Sequence, residues 1–329
     1  MKKFQIALLV LLALAAAITV GCGTSSSKTT TLPTFTKLPF LSNRTVDPAT
    51  PMFIANLDGS TITGIPTNGG SWTYSPSISA DLKVVAFASD SEIWVTNSTG
   101  MTPVQVTNNI TNSLYSFFVK VSPDGTKLLY SVYDGTSYHL KIMNPDGTGS
   151  LDLTPTPPTG MTDCYSGSFS ADGSKIVFTC TGNSNGGAYI INPDGTGFTT
   201  VFTQSAAFLD TALLTPDGSK VLFVLYNNGP GAAAARRSLK TFPHLAFRPQ
   251  TTPTSVPANG LVSVNLDGTG LTSVAAGAYD GVILNSTLYY TLYDTNLSLD
   301  QIYKANLDGS GAVSISDGTA SDYLGVSAD

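Results

Sequence analysis

Tyr115 to Thr154 reads YSFFVKVSPDGTKLLYSVYDGTSYHLKIMNPDGTGSLDLT, four short apolar runs separated by three turn signals. FFVKV is followed by Ser122-Pro123-Asp124-Gly125, KLLYSVY by a variable loop, and HLKIM by Asn144-Pro145-Asp146-Gly147 before SLDLT. Pro presets φ at the second turn position, Asp bonds back to the backbone, and Gly accepts positive φ. The stretch therefore predicts a four-stranded antiparallel meander, with strands A to D in chain order.

The unit recurs along the chain. Its A–B turn appears as SAD at Ser79–Asp81, SPDG at Ser122–Gly125, SADG at Ser170–Gly173 and TPDG at Thr215–Gly218. A degenerate copy lies at Leu284–Tyr290, and another SAD at Ser327–Asp329. The C–D turn recurs at Asn56, Asn97, Asn144, Asn192, Asn265 and Asn306. Both series have six members, spaced mostly by 41 to 48 residues, with one longer gap between Asp194 and Asp267. Six four-stranded units at this period predict an all-β, six-bladed β-propeller. Asp322–Asp329 supplies only a strand A, whereas KLPFLSN, PMFIANL and TITGIP supply B, C and D near the start. The two ends are expected to share one blade, which removes open sheet edges.

The composition agrees. Of 329 residues, 12 % are charged, Gly and Pro number 31 and 19, and Glu occurs once, at Glu92. Few charges and many turn formers exclude a coiled coil, a helical bundle and a disordered acidic chain. A net charge of −6 argues against nucleic acid as a partner. Two His and one Glu leave most metal-hydrolase and acid/base constellations short of parts.

The S-[PA]-D-G-[ST]-K run, followed by a strand and N-[PL]-D-G-[TS]-G, resembles the WD40-like (PD40) repeats of TolB-type propellers. The resemblance covers roughly residues 37–329 and implies the propeller fold. Its matching residues are turn formers, so it says little about activity. TolB carries an additional amino-terminal α/β domain, which is not expected here, since only a short Ser/Thr-rich tether is read before residue 37. Related peptidases carry a separate hydrolase domain with a G-x-S-x-G motif.

The amino terminus reads as an address. Lys2 and Lys3 precede an apolar run from Ile6 to Val20, 15 residues, short for a bilayer span and suited to a signal peptide. Thr19-Val20-Gly21-Cys22 resembles a bacterial lipobox with Thr in place of the usual Leu. Residues 1–21 are thus expected to be a lipoprotein signal peptide and Cys22 the lipidated first residue. Residues 22–36 are expected to be a flexible Ser/Thr-rich tether, and 37–329 the propeller. This places the protein in a bacterial cell envelope, membrane-bound through its lipid. In a Gram-negative cell, Gly23 favours the periplasmic face of the outer membrane.

Candidate functional residues fall into four groups. Asp163, Asp210, Asp280 and Asp322 precede strand A at the D–A rim, where converging inner strands would ring the channel mouth with carboxylates. The competing reading is local capping, with nearby aromatics packing between blades. An insertion in blade four, residues 227–259, carries Arg236, Arg237, His244 and Arg248 and reads as a lid or docking loop, or a surface excursion. Cys164 and Cys180 flank the SADG turn symmetrically; a three-residue loop would set them opposite each other as a disulfide. The repeated Asp turns read as backbone turns rather than Ca²⁺ sites, since each offers one carboxylate. No metal or cofactor is expected, a structural Ca²⁺ in the channel being the one exception weighed.

The leading expectation is a non-catalytic envelope scaffold that binds a protein or peptide by its rim and channel. The alternative is an envelope hydrolase or lyase acting on a sugar or peptide through an Asp-based rim site. Paired carboxylates with perturbed pKa values in a pocket would favour the second.

Overall fold

Among the described residues, strand follows strand with almost no helix. The computed structural model describes residues 31–44, 52–67, 73–99, 102–154, 156–182, 185–227 and 259–324. In chain order the strands begin with β1 (Lys37–Ser42), β2 (Met52–Asn56) and β3 (Thr63–Ile65). Blade one is β4 (Thr73–Ile78), β5 (Val85–Ser89), β6 (Glu92–Thr96) and β7 (Val104–Gln105). Blade two is β8 (Val119–Val121), β9 (Leu128–Tyr133), β10 (Tyr138–Met143) and β11 (Leu151–Asp152). Blade three is β12 (Asp163–Phe169), β13 (Ile176–Thr181), β14 (Asn185–Ile191) and β15 (Thr199–Ser205). Blade four is β16 (Ala207–Leu214), β17 (Lys220–Asn227), β18 (Gly260–Asn265) and β19 (Thr272–Ala276). Blade five is β20 (Asp280–Leu284), β21 (Thr287–Asp294), β22 (Leu299–Ala305) and β23 (Val313–Ser314), and β24 (Asp322–Tyr323) ends the series.

Each blade is an antiparallel four-stranded sheet in sequence order, except the last, which is ordered β24-β1-β2-β3. The chain's two ends therefore share a blade, and the fold is a six-bladed β-propeller. The closing ladder is short: Leu41 pairs with Tyr323 and Ser42 with Asp322. The Asn43 amide reaches the Ser321 carbonyl at 3.3 Å, and the Ser321 amide reaches Asn43 Oδ1 at 3.0 Å. Arg44 completes the closure. Its guanidinium lies 2.7 Å from Asp322 and 3.0 Å from Asp317, over the rings of Phe40 and Phe53.

Six apolar clusters hold the ring, one at each blade–blade interface. Most B and C strands are consequently buried on both faces, as in Val85–Ser89 and Ile176–Thr181, rather than alternating. The turns serve this packing. A Cβ on Gly309 (φ +85°) would stand 2.0 Å from the Val274 carbonyl oxygen, and one on Gly147 (φ +83°) 2.4 Å from that of Val106. The N-x-D-G turn of one blade thus rests on the outer strand of the blade before it, where only Gly fits. The turn carboxylates are occupied locally. Asp146 accepts from the Thr148 amide at 2.9 Å and Asp308 from that of Ser310 at 2.9 Å. Asp217 accepts from Thr215 Oγ1 and the Ser219 amide, and these bonds hold its carboxyl down at about 2.

The inner strands β4, β8, β12, β16, β20 and β24 have no ladder partner on their axial side. Small side chains take its place. Ser75 Oγ donates to the Val119 carbonyl at 3.0 Å and Ser77 Oγ accepts from the Val121 amide at 2.9 Å. Ser168 Oγ donates to the Ala212 carbonyl at 2.8 Å. A Ser on one inner strand thereby satisfies backbone groups of the next that the missing strand would have met.

Cys164 and Cys180 face each other and their sulfurs are 2.01 Å apart. The loop differs from the expected three residues. Phe169 pairs with Ile176, and a bulge between Cys164 and Ser166 restores the register so that the cysteines still meet.

Candidate functional site

The inner strands enclose an axial cavity of about 120 Å³, opening among the A–B turns. Its wall is mainly apolar, with Ile78, Val121, Phe169, Leu214 and Leu284 from five inner strands and Leu324 from the sixth blade. Pro123 and Pro216, of the repeated turns, also line it. The chain itself crosses this opening. Leu32, Pro33 and Phe35 line the cavity, and Asn285 grips Phe35 by its backbone. Asn285 Oδ1 accepts from the Phe35 amide at 2.9 Å, and its amide nitrogen donates to the Phe35 carbonyl at 2.6 Å. The tether read from sequence as running through residue 36 therefore includes a packed stretch.

Among the described residues, Lys120 is the one charged residue that lines the cavity. Asp210 and Asp280, from strands β16 and β20, act on it electrostatically. Neither carboxylate lines the cavity, and neither lies within ion-pair distance of the ammonium. Thr211 links the two acids. Its amide donates to Asp210 Oδ1 at 2.7 Å and its hydroxyl lies 3.4 Å from Asp280 Oδ1. Thr211 adopts φ 46°, in the left-handed region a β-branched residue avoids, at the bulge between Asp210 and Leu213. Asp280 Oδ1 accepts from the Gly281 amide at 2.7 Å, whereas its Oδ2 is sealed from solvent without a hydrogen-bond partner.

Burial pushes the Asp210 carboxyl up to about 6, against hydrogen bonds from Thr211 and Ser166 and the field of Lys120, with Asp280 adding to the rise. Burial also raises Asp280, and it lowers Lys120 against the pull of both acids. Tyr165 and Tyr226 flank Asp210, their phenols held neutral by burial. Asp210 binds its proton more tightly folded than unfolded. The fold therefore gains stability as pH falls from 7 through 6 toward 4, the unfolded value. Asp210→Asn should raise stability at pH 7 by roughly 2–3 kcal/mol, the equivalent of its pKa rise, and flatten stability between pH 4 and 6. Urea midpoints at pH 4.5 and 7 check this; an unchanged pH slope in the variant would refute it.

The four rim acids thus part company. Asp210 and Asp280 are linked through Thr211 and act on the same lysine. Asp163 accepts from the Tyr138 amide at 3.1 Å and Thr162 Oγ1 at 2.8 Å, and Asp322 is taken by Arg44. Two of the four are thus engaged by local or closing partners, as the capping reading expects. The neighbouring aromatics also pack between blades: Tyr165 stacks on Phe208 at 5.9 Å and meets Tyr138 edge-on at 5.8 Å. Lys120 was legible only as a charge inside the apolar run FFVKV, a signal the repeat pattern masks. Glu92, the single Glu, is buried and accepts from the Asn109 and Ile110 amides at 2.8 and 2.9 Å and from Thr107 Oγ1. It holds the D–A loop of blade one.

Cys22, Arg236, Arg237, His244 and Arg248 lie outside the described residues. The insertion's ends do not: the Asn227 amide donates to Asn259 Oδ1 at 2.9 Å, on the B–C side of blade four. Among the described residues, no cluster of three or more His, Cys, Asp or Glu is placed to hold a metal ion. Likewise among them, no helix is long and apolar enough to cross a membrane.

No protein-family profile matches the sequence, and no curated protein matches it. Solved structures match in shape. TolB from Acinetobacter baumannii aligns over 88 % of this chain with TM-score 0.61 and 14 % identity, the match spanning 66 % of that protein. A putative TolB from Agrobacterium tumefaciens aligns over 88 % of this chain and 90 % of its own, with TM-score 0.57 and 14 % identity. A chain of a nidogen/laminin complex aligns over 84 % and 92 %, with TM-score 0.58 and 13 % identity. At such identities the likeness speaks for architecture alone, and it establishes this chain as a six-bladed β-propeller of TolB-like fold.

Proposed function

We propose that this chain is a lipid-anchored cell-envelope propeller that binds a protein or peptide segment without transforming it. One observation carries the reading: the axial funnel already receives an extended segment. Leu32–Phe35 lies across an apolar opening, and Asn285 holds both backbone groups of Phe35, as a strand partner would. A site that accepts its own chain in this way is shaped for another. The lipid anchor at Cys22 and an envelope location, the outer membrane's periplasmic face in a Gram-negative cell, rest on the amino-terminal sequence. Arg236, Arg237, His244 and Arg248 would offer a second docking element on the opposite face of the ring.

In-cell cross-linking from a photoreactive residue at position 169, on the funnel wall, tests the proposal. A discrete polypeptide adduct is expected. It should strengthen in Phe35→Ser, where the chain's own segment competes less. No adduct in either background would overturn the reading.

The second reading is an Asp-based hydrolase or lyase acting on a sugar or peptide. It draws on the Asp210–Asp280 pair, raised in pKa and linked through Thr211. Against it, the open cavity presents Lys120 rather than the acids, and Asp280 Oδ2 is sealed. Turnover of an envelope oligosaccharide or peptide that Asp210→Asn abolishes in a folded variant would favour it over binding.

A further inference from the structure

We propose that the funnel recognises the free C-terminal carboxylate of an apolar peptide, with the Lys120 ammonium as its partner. This rests on the peptide-binding reading above and adds which end of the peptide is read. Most polar side chains that line the cavity are committed. Ser77 accepts from Val121, Ser168 donates to Ala212, and Asn285 spends both ends of its amide on Phe35. Among the described lining residues, the exposed turn residue Ser286 and Lys120 are not, and Lys120 is the charged one. Among the described residues, no acceptor lies within hydrogen-bonding distance of its ammonium and no carboxylate within ion-pair distance, while its ammonium sits 5.8 Å from the Phe118 ring.

The chemistry follows from that arrangement. An apolar body fits the wall of Ile78, Val121, Phe169, Leu214 and Leu284. A charge inside such a wall is costly unless paired, and a carboxylate meeting an ammonium forms the stronger, charge-assisted bond. A peptide entering by its amino end would bring a second cation to Lys120. One passing through by an internal segment would leave the ammonium without an anion. Only a carboxyl end satisfies the wall and the charge together.

Asp210 and Asp280 do not line the cavity but act on Lys120 and offset its field, and Asp210 also acts on the neutral phenols of Tyr165 and Tyr226. Protonating Asp210 removes one competing negative charge. The preference for a carboxylate should therefore grow as the pH falls through about 6.

The test compares acetyl-Leu-Pro-Leu-Phe as the free acid and as the C-terminal amide, titrated calorimetrically into the full chain and its Phe35→Ser variant. The acid should bind at least about tenfold more tightly than the amide, one charge-assisted bond's worth, and the gap should widen from pH 7.5 to pH 5. In Lys120→Met the two should bind alike, whereas Lys120→Arg should keep the preference. Equal binding of acid and amide by the unmodified chain would overturn the carboxylate reading and leave peptide binding standing. Binding of neither in both backgrounds would overturn both readings. Octanoate competing as well as the peptide acid would overturn the peptide as the occupant in favour of a generic amphiphilic carboxylate.

Discussion

Asp322→Ala should lower the unfolding free energy by about 3–5 kcal/mol, the range for stripping one partner from a buried ion pair. The Asp322 side chain is 2 % exposed and that of Arg44 15 %, so the guanidinium left behind would keep one solvent-poor position and one partner, Asp317, at 3.0 Å. The loss falls where the ring is weakest. Every other blade is one continuous piece of chain, whereas the closing blade joins β24 to β1 through two residue pairs. Arg44 binds Asp322, stacks on Phe40 and Phe53, and so ties the last strand to the first three. Arg44→Ala should act similarly, and Arg44→Met with Asp322→Leu should recover most of the loss, since no charge is then stranded. Urea melts of the four proteins decide the matter. A single-variant loss below about 1 kcal/mol, the value of an exposed pair, would refute the role of this clamp.

Removing the Cys164–Cys180 bridge should cost about 3 kcal/mol, the loop-closure value for a loop of about 15 residues. The cysteines are 16 apart in sequence and both fully buried in the cluster between blades two and three. The double variant Cys164→Ala/Cys180→Ala avoids leaving a polar atom there. Reduction of the native chain should give a similar shift, roughly 6–12 °C in melting temperature for a domain of this class. A melting temperature unmoved by reductant, with the thiols shown to be free, would refute its contribution.

How much was legible follows from the kind of residue. The turns were, because S-P-D-G and N-P-D-G carry their backbone geometry in four consecutive residues. Ser122 Oγ donates to Asp124 at 2.7 Å and Lys127 returns its amide to Ser122, all within the turn. The four-strand period and the shared blade followed by counting. The rim was only half legible. Asp163, Asp210, Asp280 and Asp322 hold equivalent places along the chain, yet two are consumed by partners 25 and 278 residues away. Nothing near Asp322 in the sequence announces Arg44.

The sequence by itself determined the architecture: six meanders, their order, the shared blade, and the turns on which the blades rest. Those are properties of short segments and their repetition, and local backbone preference suffices to specify them. Only the tertiary structure decided what the axis presents: a lysine lining an apolar funnel, two acids acting on it, and the chain's own Leu32–Phe35 at the mouth. Each of those residues comes from a different blade or from outside the repeats. Their chemistry arises where distant segments converge, at distances that the folded ring alone sets.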